Sequence, residues 1–134
     1  MKNGIGHIVP LSRQAIAILE SLKPVTGHHE FVFANIGSKK PLSEGAARKA
    51  LARLGFLDQI TPHGFRHMAS TRLNEMGFNS DWIERQLAHK DPNAIRTAYN
   101  HAEYLEQRAE MVQAWVDYLD GLKAQSGILQ QTGG

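Results

Sequence analysis

The segment 61–77 constrains the fold more than any other part of the sequence. Threonine followed by proline is typical of a helix start, because threonine can cap the helix and proline loses no useful N–H at that position. Apolar residues then recur at helical spacing until Gly77, a residue type that suits the turn after a helix. These residues are Phe65, Met68, Ala69, Leu73 and Met76. The segment predicts an amphipathic helix, so the fold must pack helices.

Five other places combine helix-boundary residues with apolar residues at helical spacing. The first predicted helix starts after Ser12 and stops near Pro24, and the second starts at Ser43 and ends at a left-handed Gly55. The others run from Asn79 or Ser80 to around His89, from Asp91-Pro92 onward, and from about 102 to roughly 123.

Two short runs indicate β structure. Residues 5–9 end at Pro10 and predict a strand or the second arm of a hairpin whose partner lies upstream. The run Phe31-Val32-Phe33 predicts a brief strand or an extended segment. The predicted fold is therefore mainly α, with a small β-hairpin or strand region near the N-terminus.

Length and composition exclude several classes of protein. The 134 residues, 42% of them hydrophobic, fit one domain with a real core. No apolar run approaches the roughly 18 residues of a membrane span, and no cysteine is present for disulfides or thiolate metal sites. A net charge of +2 permits polyanion binding without requiring it. We expect a soluble, cytoplasmic protein whose polar end, 125–134, is a flexible tail.

His63 and Arg66 stand three residues apart at the start of the 61–77 helix. Side chains at that spacing share one face, beside backbone N–H groups that have no partner inside the helix. Arginine offers a planar fork to two phosphate oxygens, and histidine exchanges protons near neutral pH. The pair suits a phosphate, although two such residues alone could equally cap or solvate a helix.

A zinc site built on His63 and His67 is a competing interpretation of this helix, because the two lie four residues apart. Further ligands would have to come from His28, His29 or His101. The two-histidine metalloprotease pattern needs a glutamate directly after the first histidine, and Gly64 stands there. We therefore expect no metal site, and His67 is expected to pack or hydrogen-bond behind Arg66.

An ordered set of three segments contains this pair and resembles a known family. The segments are 61–71, with Thr61-Pro62-His63-Gly64-Phe65-Arg66; 83–89, with Leu87-Ala88-His89; and 98–100, which is Ala98-Tyr99-Asn100. The set is similar to the tyrosine recombinases, specifically the bacteriophage and prophage integrases, and a looser similarity covers 2–119. The resemblance implies that 1–124 is a segment of the C-terminal catalytic domain of a DNA breaking and rejoining enzyme.

In that family a tyrosine hydroxyl attacks a DNA phosphate, giving a covalent 3′-phosphotyrosyl link and a free 5′-hydroxyl, without a metal or nucleotide cofactor. The resemblance implies that Tyr99 is the nucleophile and that Arg66 is the second of two arginines that clamp the phosphoryl oxygens. It makes His63 a proton-handling partner and His89 a further phosphate donor. A phenol with a pKa of about 10 needs such donors to react at neutral pH.

Two of the implied assignments have alternatives. The family places its tyrosine nine or ten residues beyond the last histidine; Tyr99 lies ten beyond His89, whereas Tyr104 is expected to pack at the head of the last helix. Lys2, five residues before His7, matches a hairpin lysine that protonates the leaving 5′-oxygen in the family. A disordered terminal lysine is the alternative for Lys2.

The resemblance also implies partners. They are double-stranded DNA attachment sites of phages or other mobile elements, and further copies of the enzyme in a homotetramer on DNA when full length, in the bacterial cytoplasm at the nucleoid. No small-molecule substrate is implied. Because the family's first catalytic arginine lies upstream of the hairpin, the 134 residues are expected to be inactive alone, whether they are an excised piece or a natural truncation.

A second hypothesis is a DNA-binding or regulatory remnant of an integrase that grips DNA without cutting it. Its phosphate contacts would come from basic residues that could otherwise be ordinary solvated surface. These residues are Lys39, Lys40, Arg48, Lys49 and Arg53.

Overall fold

The computed structural model describes residues 7–35, 37–88 and 103–132, and in the last range it describes side chains as far as 127. The helices are α1 (Arg13–Ser21), α2 (Lys23–Thr26), α3 (Ala46–Leu54), α4 (Pro62–Glu75), α5 (Ser80–Gln86) and α6 (Leu105–Thr132). The prediction of a mainly helical fold is confirmed. The predicted N-terminal hairpin is not confirmed, since residues 7–9 form no strand and residues 1–6 lie outside the described ranges.

The chain forms two compact units that differ in charge. The basic unit is Arg13–Ala69, and the core unit is Met1–Ser12 with Ser70–Gly134. The basic unit has eight Lys and Arg against four Asp and Glu, a net charge of +4. The core unit has seven against nine, a net charge of −2. The modest overall charge therefore conceals a strong segregation, with the excess of basic residues in one unit.

In the basic unit, a buried threonine ties α2 to the loop that follows it. The Thr26 hydroxyl donates to the Val32 carbonyl oxygen at 2.8 Å. Beyond this loop, Ala34 and Pro41 form an isolated antiparallel bridge. The brief strand or extended segment predicted at 31–33 is reduced to this bridge, in which the N–H of Leu42 donates to the Phe33 carbonyl oxygen at 2.8 Å and the N–H of Asn35 to the Lys40 carbonyl oxygen at 2.9 Å.

Helix α3 begins later than its predicted cap. Gly45, not Ser43, precedes its first residue, and the carbonyl oxygen of Ser43 accepts the N–H of Ala46 at 3.1 Å in the turn before the helix. The predicted left-handed end is confirmed, with φ of +83° at Gly55. Leu54, the last residue of α3, is 68% exposed.

The hydrophobic core of the core unit joins α4, α5 and α6. Ile83 and Met111 are 0% exposed, and Leu73 is 4% exposed. Four partly buried side chains pack against them: Phe78, Trp82, Leu87 and Trp115. Burial of each large apolar side chain stabilises the fold by about 1.5–3 kcal/mol, so these contacts hold the three helices together.

A tight turn connects α4 to α5 inside the core unit. Gly77 takes a φ of +89°, the N–H of Phe78 donates to the Leu73 carbonyl oxygen at 3.2 Å, and Phe78 packs on the core. This pattern ends helices and anchors the next residue against them. Asn79 then caps α5 by accepting the N–H of Asp81 at 2.8 Å, which confirms one of the two predicted starts.

Two predicted helix ends are wrong. Helix α5 stops at Gln86, before the predicted end around His89. Helix α6 begins at Leu105 and continues to Thr132, past the predicted end at 123. The apolar stripe does fade there, but alanine, glutamine and leucine favour helix without one. The flexibility of 125–134 stays a prediction. Among the described residues, no helix is long and apolar enough to cross a membrane.

Candidate active site

Helix α4 begins where the sequence predicts, and its first turns carry His63 and Arg66. Pro62 is the first helical residue, and the hydroxyl oxygen of Thr61 accepts the backbone N–H of Gly64 at 3.1 Å. This is the predicted threonine cap, which satisfies one of the donors of the first turn. His63 and Arg66 therefore project from a helix end that is fixed by its own cap.

Gly64 allows this first turn to lie close to the segment before it. A Cβ at Gly64 would come within 3.2 Å of Cγ1 of Ile60 and 3.4 Å of the Thr61 hydroxyl oxygen. A side chain there would press on Ile60, next to the cap. The glycine between His63 and Arg66 thus serves the local packing that sets the start of α4.

The side chains of His63 and Arg66 are both exposed. Their spacing of three residues puts them on one face of the helix, near the positive end of the helix dipole. An anion arriving from solvent would meet a guanidinium that can make two parallel hydrogen bonds to phosphate and an imidazole that can exchange a proton. This end of α4 is chemically suited to a phosphate.

The other predicted catalytic residues lie outside the described residues. Lys2 belongs to 1–6, and His89 and Tyr99 belong to 89–102, as does the helix predicted from Asp91-Pro92. Their roles therefore stay predictions. Tyr104, the alternative nucleophile, is half-buried directly before α6, in agreement with its predicted place at the head of that helix.

Sequence reasoning missed a buried arginine in the core unit. Arg108 is 1% exposed. Its Nη2 donates to the Ile8 carbonyl oxygen at 2.7 Å, its Nη1 to the Glu103 carbonyl oxygen at 2.9 Å, and its Nε to Oε1 of Gln86 at 3.0 Å. A single guanidinium therefore holds three separate segments of the core unit.

Burial lowers the pKa of Arg108 below its usual value, repulsion from Arg85 lowers it further, and Glu103 opposes the change. Arginine starts so high that the guanidinium stays charged at neutral pH. The sequence did carry a signal for this residue. Arg108 lies three residues before Met111 and seven before Trp115, so a charge occupies a core position of the α6 stripe.

The basic residues proposed to contact DNA belong to the basic unit and are all exposed. Lys39 and Lys40 lie in the turn closed by the Ala34–Pro41 bridge. Arg48, Lys49 and Arg53 lie on α3. The structure thus brings all five into the unit that also contains His63 and Arg66.

Among the described residues, no group of three or more His, Cys, Asp or Glu could hold a metal ion. The rings of His28 and His29 lie 4.3 Å apart in the loop after α2. His67 is exposed on α4.

Comparison with known proteins identifies the family. The model of the phage integrase family matches residues 1–106, a span that includes all the predicted catalytic residues. The chain belongs to the phage integrase family. The resemblance drawn from 61–71, 83–89 and 98–100 is confirmed.

Individual relatives agree with this family. Prophage integrase IntA of Escherichia coli K12 is 45% identical over 130 residues, which is 96% of this chain and 32% of IntA. The integrase of Shigella phage Sf6 is 43% identical over 122 residues, 90% of the chain and 32% of the relative. A tyrosine recombinase of Agathobacter rectalis is 35% identical over 80 residues, 57% of the chain and 26% of the relative.

The chain spans about a third of the length of the curated relatives it matches. No solved structure matches it.

Proposed function

We propose that this integrase chain supplies the tyrosine-bearing half of a site that cuts and rejoins DNA at specific attachment sites. The Tyr99 oxygen forms a bond to a DNA phosphorus while the bond from phosphorus to the 5′-oxygen breaks. The products are a 3′-phosphotyrosyl link and a free 5′-hydroxyl, which can reverse the reaction on another strand. The family match over 1–106 carries this proposal.

In this mechanism Arg66 binds the phosphoryl oxygens and stabilises the charge that grows on them in the transition state. Its exposed position on a capped helix supports this role, since the helix end need not rearrange when DNA arrives. One such donor is worth about 3–4 kcal/mol of transition-state stabilisation. His63, on the same face, takes part in proton transfer at the phosphate.

The remaining steps rest on residues carried over from the family. His89 donates a hydrogen bond to the phosphate. Lys2 gives its proton to the leaving 5′-oxygen, while the proton of the Tyr99 hydroxyl passes to a neighbouring base. In the family, the first of the two arginines of the clamp precedes the hairpin lysine.

The basic unit is proposed to contact the DNA backbone. Its net charge of +4 and its exposed lysines and arginines favour a polyanion, in contrast to the net −2 of the core unit. We further propose double-stranded attachment sites as the substrate, a tetramer of full-length enzyme on DNA, and action at the bacterial nucleoid.

A covalent trapping experiment tests the proposal. In a chimera, this chain replaces the matching 130 residues of IntA, and the rest of IntA supplies what precedes them. The substrate is a nicked duplex with the IntA attachment site, in which the short 5′-hydroxyl strand diffuses away and leaves the protein bonded to DNA. We expect an adduct that disappears in Tyr99→Phe and persists in Tyr104→Phe.

Other outcomes have definite meanings. An adduct that survives Tyr99→Phe and is lost in Tyr104→Phe makes the nucleophile assignment wrong. The chain alone should form no adduct, and robust cleavage by it would overturn the need for an upstream arginine. DNA binding by the chimera without any adduct would favour the second candidate, a DNA-binding remnant that the charge of the basic unit also supports.

A further inference from the structure

One guanidinium in the core unit connects three segments that are far apart in sequence. Arg108 reaches Gln86, 22 residues away, and Ile8, 100 residues away, as well as the nearby Glu103. Its bonds are short, from 2.7 to 3.0 Å, and the side chain is 1% exposed. Charged donors at such distances form strong, directional hydrogen bonds.

The three partners flank the residues proposed for catalysis. Gln86 lies three residues before His89, and Glu103 lies four residues after Tyr99. The Ile8 carbonyl lies six residues after Lys2. Arg108 therefore holds the described residues at both ends of the segment that contains His89 and Tyr99, and the residues that follow Lys2.

The acceptors are two backbone carbonyl oxygens and one amide oxygen. Each of these neutral acceptors takes a hydrogen bond from one guanidinium nitrogen, and none of them neutralises the positive charge. A lysine could not reproduce this arrangement, because its ammonium lacks the planar fork that spaces donors along fixed directions. A buried charge would be a costly way to obtain stability alone.

We propose that Arg108 is a positioning residue of the integrase reaction, which fixes the ends of the segment containing His89 and Tyr99 relative to the residues after Lys2. The inference rests on the proposed function. Arg108 acts through the three segments and touches no reacting atom.

The first test measures hydrogen exchange on this chain. Arg108→Lys should raise amide exchange about 10-fold, equivalent to a tenfold larger open population, at 86–88 and 103–108. Exchange in α3 should not change. Arg72→Lys is the matched control: it makes the same change at a surface arginine of the core unit that pairs with Glu75. Equal effects of the two variants, or faster exchange spread over both units, would overturn the proposal.

The second test uses the IntA chimera at a temperature where every variant is folded. At saturating DNA, Arg108→Lys and Gln86→Met should slow adduct formation by about 10-fold or more, while the Kd for DNA stays within about 2-fold. Gln86→Glu, which keeps an acceptor oxygen for Arg108, should retain the rate. If Arg108 only stabilised the fold, its replacement would lower the adduct rate, the affinity for DNA and the Tm together. Gln86→Glu and Gln86→Met would then have the same effect on the adduct rate.

The two proposals fail in different ways. An adduct that survives Tyr99→Phe rejects the proposed function whatever Arg108 does. If Tyr99→Phe abolishes the adduct and Arg108→Lys leaves its rate unchanged, the nucleophile stands and the positioning role is wrong.

Discussion

Arg66 of the basic unit and Arg108 of the core unit stand in opposite surroundings. Arg66 in the basic unit is exposed on the first turns of α4, where an incoming phosphate can reach it. Arg108 in the core unit is 1% exposed, and its donors are used on the chain itself. Arg66 is thus open to solvent, whereas Arg108 is enclosed and hydrogen-bonded to three segments of its own unit.

The units also differ in where apolar side chains lie. Phe33 and Leu54 of the basic unit are 56% and 68% exposed, whereas Ile83 and Met111 of the core unit are fully buried. Stability should therefore depend on the core unit, and interaction with DNA on the basic unit.

The largest expected effect is loss of stability on truncation of a core side chain. Ile83→Ala should lower the free energy of unfolding by about 2–5 kcal/mol, because it leaves a cavity among Leu73, Met111 and their neighbours. Leu54→Ala in the basic unit should cost well under about 1 kcal/mol, since that side chain is largely solvated. Urea denaturation of the two variants measures both values. Equal losses would show that the basic unit contributes a core of its own.

Removal of the Arg66 guanidinium should damage catalysis without damaging the fold. Arg66→Ala in the IntA chimera should slow adduct formation by about 100- to 1000-fold, the loss of one transition-state donor. Its Tm should stay close to that of the wild type, because the side chain is exposed. Arg53→Ala is the control from the same unit: it should weaken DNA binding and its salt dependence, with the rate at saturating DNA kept. A rate loss shared by both variants would contradict a special role for Arg66.

Local signals in the sequence predicted local structure well. The Thr61 cap, the Pro62 start, the left-handed Gly55 and the end of α4 near Gly77 all depend on a few adjacent residues, so their effects are visible in the sequence. The predicted start of α3 is wrong because Ser43 lies in the preceding turn, where its backbone carbonyl oxygen accepts a hydrogen bond. The residue type of a serine does not indicate this.

Long-range contacts could not be predicted in the same way. Arg108 interrupts an apolar stripe, which indicates a buried charge, but its partners at Ile8 and Gln86 become neighbours only after folding. The difference in net charge between the two units could not be predicted either, because the boundaries of the units are defined by contacts and not by composition. Of the candidate site, the sequence predicted the exposed face of His63 and Arg66 on α4, while Lys2, His89 and Tyr99 stay predictions.

Loss of the Thr61 cap at the start of α4 should have an intermediate effect on the free energy of unfolding. Thr61→Ala removes the acceptor for the Gly64 N–H and should lower the free energy of unfolding by about 1 kcal/mol. Thr61→Ser keeps a hydroxyl and should cost less than half as much. Chemical denaturation gives the stability, and the chimera gives the adduct rate. If the rate falls while stability is unchanged, the cap serves the orientation of His63 and Arg66 more than the fold of the basic unit.

The smallest expected effect concerns charge on the surface of the core unit. Arg72 donates to Glu75 at 2.8 Å, and their side chains are 47% and 56% exposed. Exposed pairs at this spacing contribute about 0.2–0.5 kcal/mol to stability. Arg72 also lies 5.4 Å from the centre of the Tyr118 ring, and Glu75→Gln leaves this second contact intact. Glu75→Gln should therefore cost about 0.3 kcal/mol or less at low salt, and less again in 1 M NaCl, since that salt screens exposed charges over about 3 Å. In a unit of net charge −2, removal of one carboxylate also relieves repulsion, which reduces the loss further. A cost above about 1 kcal/mol that persists in high salt would place this surface pair among the structural contacts of the core unit.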